Sequence, residues 1–192
     1  MNIQELAKIK YVFFDIDGVL SVPKYRSSDT CEFVSGFTDE EWLKFDIISE
    51  HPYKDCIAPQ FMKEFVSILA NNRGISKRVF CLTADNNSFA YRSKIKFIAE
   101  NYPEIASTDV IMVSSKELKV DVIKYIAEKH NIKLKDCCLV EDTFQTIIDA
   151  ELAGVSNLHV AGVPDLLEEI RNYRIDTRIR NYELIYEGNW LF

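Results

Sequence analysis

The chain has 192 residues, a formal charge of −7, and apolar and charged fractions usual for a soluble globular protein. That length suits one domain with a sizeable core, and an acidic chain without a basic block is a poor partner for a nucleic-acid polymer. The five cysteines (Cys31, Cys56, Cys81, Cys137 and Cys138) are odd in number and form no CxxC pair, which predicts a reducing compartment and no zinc site.

Met1 to Glu5 lacks the charged-then-apolar layout of a signal peptide, and no apolar run approaches the ~20 residues of a membrane span. The expected location is cytoplasmic, away from membranes. Residues 2–9 read as a short helix. Tyr11-Val12-Phe13-Phe14 reads as a buried strand that stops at Asp15, with Asp17 and Gly18 following. Residues 21–57 form an irregular, aromatic insertion. Within it Thr38 to Glu41 has capping-box spacing, and Tyr25, Arg26, Trp42 and Phe45 are candidates to face a ligand. A helix is predicted from Pro59 to Ala70, with Phe61, Phe65, Ile68 and Leu69 inward and Gly74 as its C-terminal cap.

Val79 to Leu82 reads as a second strand ending at Thr83-Ala84. The next helix, capped by Asn87 or Ser88, carries Phe89, Ile95, Phe97 and Ile98 and breaks at Asn101-Tyr102-Pro103. Val110 to Val113 is the third strand. Ser114 and Glu117 have capping-box spacing for a helix to Lys129 with Leu118, Val122, Ile123 and Ile126 inward. Cys138 to Val140 is the fourth strand, ending in Glu141-Asp142. A helix over 144–153 stops at Gly154, Val155 to Val160 supplies a fifth strand, and a last helix spans Val163 to Tyr173. The basic residues of Arg171 to Arg180 are interleaved with polar ones and read as a solvated face. The tail, 174–192, ends in Trp190-Leu191-Phe192, so it is expected to dock on the body or on a second copy of the chain. The whole chain, 1–192, is thus predicted to be a single domain carrying a small insertion over 21–57.

Strands that are continuous apolar runs, alternating with helices, predict an α/β fold with a doubly wound parallel sheet covered on both faces. Ligands of such sheets bind outside the carboxyl ends of the strands. At those ends stand Asp15 and Asp17, then Thr83, then Lys116 and Lys119, then Glu141 and Asp142. Converging carboxylates about 4 Å apart repel by roughly 4 kcal/mol at an effective dielectric near 20. A hard divalent cation removes that conflict, and magnesium suits an all-oxygen set that shares its shell with a phosphate. Thr83 and a lysine beside it would cradle a phosphoryl dianion. Asp15 could then attack phosphorus as a carboxylate nucleophile while Asp17 exchanges protons with leaving oxygen and water. His51, His130 and His159 carry no pattern.

Over residues 10–160 these features resemble the haloacid-dehalogenase-like superfamily of phosphohydrolases. The resemblance rests on Asp15-Ile16-Asp17-Gly18-Val19-Leu20, on the apolar strand ending in Thr83, on a lysine before the fourth strand, and on Leu139-Val140-Glu141-Asp142. It implies a three-layer Rossmann-like fold. It implies that Asp15 is nucleophile and metal ligand, and that Asp17 is acid/base and gives magnesium its carbonyl. Thr83, Ala84 and the lysine would bind phosphoryl oxygens, and Glu141 and Asp142 the metal. Lys119 fits the lysine position better than Lys116. Thr143 replaces the Ser of related sequences, and Thr146 stands where they often carry Gly, a change expected to tighten the loop below the metal. The insertion is short for the family's cap, which implies a reduced one. The dehalogenase branch lacks the second Asp, so Asp17 favours phosphate chemistry.

The expected function is therefore hydrolysis of a small phosphomonoester, such as a nucleotide or sugar phosphate, through an aspartyl phosphate. A phosphotransferase or phosphomutase would use the same intermediate. A phosphorylatable binding module is the third reading, but receiver domains place the acidic pair after the first strand and the acceptor Asp after the third, an order this chain does not follow.

Overall fold

A computed structural model describes residues 1–22, 40, 52–71, 77–84 and 88–173. The predicted Thr38 capping box, the insertion residues Tyr25, Arg26, Trp42 and Phe45, Cys31, the Gly74 and Asn87 caps and the tail 174–192 lie outside the described residues.

Helix α1 (Ile3–Lys8) starts at a reciprocal capping box, in which Asn2 Oδ1 accepts from the Glu5 N–H and Glu5 Oε2 accepts from the Asn2 N–H. Strands β1 (Tyr11–Phe14), β2 (Arg78–Ala84), β3 (Val110–Val113), β4 (Cys137–Glu141) and β5 (Ser156–His159) pair in the order β3-β2-β1-β4-β5. Every pair is parallel, so all the carboxyl ends share one edge. The strand order reverses at β1, next to β4, where such sheets leave a crevice.

Alternate strand residues feed two cores. One face carries Val12, Phe14, Val79, Cys81 and Val140, packed against α1, α2 (Gln60–Asn71), α3 (Ser88–Asn101) and the helix α6 over residues 163–173. The other carries Phe13, Phe80, Leu82 and Leu139, against α4 (Leu118–Lys129) and α5 (Phe144–Leu152). Phe13 and Phe80 stack with centroids 4.8 Å apart. This is the expected three-layer α/β architecture. Burial pushes the Cys138 thiol up to about 12 and that of Cys137 to about 11, so both are small hydrophobes rather than thiolates.

Three local expectations are corrected. The buried stripe of α2 is Met62, Phe65, Val66 and Leu69 together with Ile68, and Phe61 is only half-buried. The Ser114–Glu117 capping box does not form. Residues 116 and 117 make a turn, with Lys119 N donating to Lys116 O, and α4 begins at Leu118 with that side chain exposed. Lys119, not Leu118, is in phase with the buried Ile123 and Ile126 and so lies on the face that meets the sheet. Thr146 lies buried inside α5 rather than in the loop before it. No described helix is long and apolar enough to cross a membrane.

Candidate active site

The site is built on the end of β1. Asp15 extends the ladder by donating its N–H to Val140 O at 3.0 Å, and the chain then turns back on itself. Gly18 N donates to Ser21 O, Ser21 N donates to Ile16 O, and Ile16, Val19 and Leu20 are fully buried. The buried Tyr102 hydroxyl, just past α3, donates to Leu20 O at 2.6 Å. Val22 pairs with Ile57 in an antiparallel bridge that closes the base of the insertion. Gly18 has φ of +79°, and a Cβ there would lie 1.9 Å from Asp142 Oδ2. Glycine therefore suits the left-handed turn and leaves room for the Asp142 carboxylate beside it.

On the β4 side, α4 delivers Lys119 into the interior. Its Nζ lies 2.9 Å from Asp15 Oδ1 and 2.7 Å from Glu141 Oε2, and all three side chains are buried. Glu141 Oε1 accepts from the N–H groups of Asp142 and Thr143, so both of its oxygens are engaged. Burial opposes the charge on Lys119, but Asp15 and Glu141 outweigh it and hold its pKa above the ordinary value. Burial pushes Asp15 up to about 7, with Glu141 and Asp17 adding to the rise and Lys119 opposing it. Lys116 does not reach Asp15; its Nζ donates to Thr143 Oγ1, which in turn donates to Asp142 Oδ1.

The β2 side holds two residues that sequence reasoning missed. Lys94 of α3 is 1% exposed, with Nζ 2.8 Å from Asp17 Oδ2 and 3.0 Å from Thr83 Oγ1. Tyr53, in the 3-10 turn Pro52–Asp55, donates its hydroxyl to Asp17 Oδ1 at 2.5 Å. A signal for Lys94 existed: Ala90, Lys94, Phe97 and Ile98 share one helical face, and the other three are buried. A lysine in that stripe needs a polar partner inside. Thr83 is fully buried, and Ala84 closes β2 half-buried beside it.

The residues present fit a divalent cation. One carboxylate oxygen each from Asp15, Glu141 and Asp142 falls within 4.8 Å of the others. Among the described residues, four carboxyl groups meet two ammonium groups here, an excess of acids that a divalent ion would relieve. Because Glu141 is engaged by Lys119 and two N–H groups, Asp15 and the exposed Asp142 are the better placed ligands. The Asp17 carboxylate stands outside this cluster.

Neither a family model nor a curated protein matches the chain. Solved structures do. A HAD hydrolase, family IA, variant 3 from Entamoeba histolytica is 16% identical over 79% of this chain and 83% of its own, with a TM-score of 0.52. A haloacid dehalogenase-like family hydrolase from Streptococcus pneumoniae is 16% identical over 79% and 84%, also at 0.52. One from Xanthomonas campestris is 12% identical over 79% and 82%, at 0.51. Parallel strands in the order β3-β2-β1-β4-β5, helices on both faces and these likenesses agree: the chain has the fold of the haloacid dehalogenase-like hydrolases.

Proposed function

We propose that the chain is a magnesium-dependent phosphohydrolase that cleaves a small phosphomonoester through an aspartyl phosphate on Asp15. The observation that carries this reading is Lys119 Nζ, buried between Asp15 Oδ1 and Glu141 Oε2 at the carboxyl edge of the sheet. It keeps a carboxylate aimed and charge-balanced in a place where burial alone would protonate it.

In the first half-reaction a carboxylate oxygen of Asp15 bonds to phosphorus while the bond to the leaving oxygen breaks. Asp17 gives that oxygen its proton. In the second, water bonds to the same phosphorus and Asp17 takes its proton. The acyl-phosphate bond breaks, releasing inorganic phosphate and restoring the Asp15 carboxylate. Thr83 and Lys119 hold phosphoryl oxygens throughout. Asp15 and Asp142 would hold magnesium, which supplies charge neutralisation at the phosphoryl group when bound. The same intermediate passed to another hydroxyl would make the chain a phosphotransferase.

The test is turnover of 4-nitrophenyl phosphate with and without magnesium, with wild type and Asp15→Asn. The expected result is metal-dependent release of phosphate that Asp15→Asn abolishes. Inert wild type, or activity that survives Asp15→Asn, overturns the reading. Alcohol acceptors that divert phosphate from water would favour the transferase.

A further inference from the structure

Asp17 is gripped at both oxygens. Tyr53 donates to Oδ1 and Lys94 to Oδ2, and the two donors come from separate elements, the turn near the end of the insertion and the middle of α3. The Lys94 ammonium also lies 5.8 Å from the centroid of the Tyr53 ring, so the three groups form one cluster. Asp17 is the carboxylate on which both donors converge, whereas Lys119 serves Asp15 and Glu141.

We infer that Tyr53 and Lys94 are positioning residues for Asp17, fixing it to serve the leaving oxygen of the substrate. The inference rests on the phosphohydrolase reading above. A carboxylate held by one donor swings about its Cα–Cβ and Cβ–Cγ bonds. Held by two donors from opposite elements, it cannot turn without breaking one of them. General acid catalysis requires the proton to stand within hydrogen-bond reach of the departing oxygen, and holding the groups in that geometry lowers the barrier.

Lys94 has a second effect. Ammonium donates and never accepts, so Thr83 Oγ1 must be the acceptor in the 3.0 Å contact. The Thr83 hydroxyl proton is then directed elsewhere, available to a phosphoryl oxygen. One buried lysine thus orders the acid and the phosphate ligand together. Its burial argues against an incidental role, because a desolvated ammonium on an otherwise apolar stripe is costly to the fold.

The test separates positioning from scaffolding by leaving group. kcat/KM reports every step up to departure of the leaving oxygen. It is measured for wild type, Tyr53→Phe, Lys94→Met and Lys94→Arg on 4-nitrophenyl phosphate, phenyl phosphate and glycerol 2-phosphate. A nitrophenolate needs little protonation, and an alkoxide needs it most. We expect Tyr53→Phe and Lys94→Met to fall by roughly threefold on the first substrate and by roughly 30-fold or more on the last. Lys94→Arg, which keeps a donor, recovers part of the alkyl activity. Equal losses on all three substrates, or none, overturn the inference while leaving the phosphohydrolase reading intact. Wild type inert on all three overturns both. Should Lys94→Met fail to fold, the near-isosteric Tyr53→Phe decides the matter alone.

Discussion

The two lysines of the site make an instructive pair. Lys119 and its partners are sealed: Asp15 and Glu141 side chains are 7% and 0% exposed, and the trio sits between β1, β4 and α4. Lys94 is as deeply buried, but its partner Asp17 is 26% exposed and shares its other oxygen with Tyr53. One side of the site is closed around the group proposed to attack phosphorus. The other opens toward solvent through the group proposed to meet the leaving oxygen. Similar chemistry in two settings should therefore respond differently to the same substitution.

Lys119→Met breaks the closed side. It strands two buried carboxylates, and a loss of about 3–5 kcal/mol in unfolding free energy is expected from urea titration. Lys94→Met sharpens the contrast. Asp17 can recover hydration, so the expected loss is smaller, about 1–3 kcal/mol by the same measurement.

Asp15 gives the closed side a pH signature. Its folded-state pKa is raised, from 3.8 to about 7, so its contribution to stability is present in full below pH ~4 and lost as pH rises through 7. In metal-free protein, the stability of Asp15→Asn relative to wild type should climb between those limits, by at most ~1.4 kcal/mol per pH unit, and then level off. Thermal midpoints of the two proteins across that range check the sign. A difference that shrinks as pH rises would contradict the reading of a desolvated carboxylate.

Gly18→Ala tests how tightly the two loops meet. Left-handed backbone costs about 1–2 kcal/mol for alanine, and the new methyl group displaces Asp142. Under the proposed metal site, magnesium is expected to raise the thermal midpoint of wild type, and that rise should be lost in the variant. The smallest effect is reserved for Lys116→Ala. Its exposed bond to Thr143 should be worth less than ~0.5 kcal/mol, and turnover should barely change.

The contrast also explains what could be read without coordinates. Asp15, Thr83 and Glu141-Asp142 stand where apolar runs end, and parallel pairing carries every such end to one edge. That much follows from strand patterning alone. Lys119 was separable from Lys116 by the apolar residues behind it, although the start of its helix was misplaced by the tempting Ser114–Glu117 spacing. Lys94 was hidden. Within Arg92-Ser93-Lys94-Ile95-Lys96 it looks like one solvated lysine among several. Only its phase with Ala90, Phe97 and Ile98 sets it apart, and a long side chain can line such a stripe with its stem without showing which carboxylate its head meets. Tyr53 was hidden for another reason: it belongs to an insertion with no repeating pattern, and its partner is 36 residues away.

Helix α3 and Tyr102 just past its end fasten the turn after β1 at two points, Asp17 through Lys94 and Leu20 through Tyr102. A segment pinned at both ends by one rigid rod has no private route to open. Deuterium should therefore enter the amides of Gly18 and Ser21 only when α3 lifts from the sheet, at the rate of that larger event. Tyr102→Phe, which removes one pin, would let the turn exchange ahead of the helix.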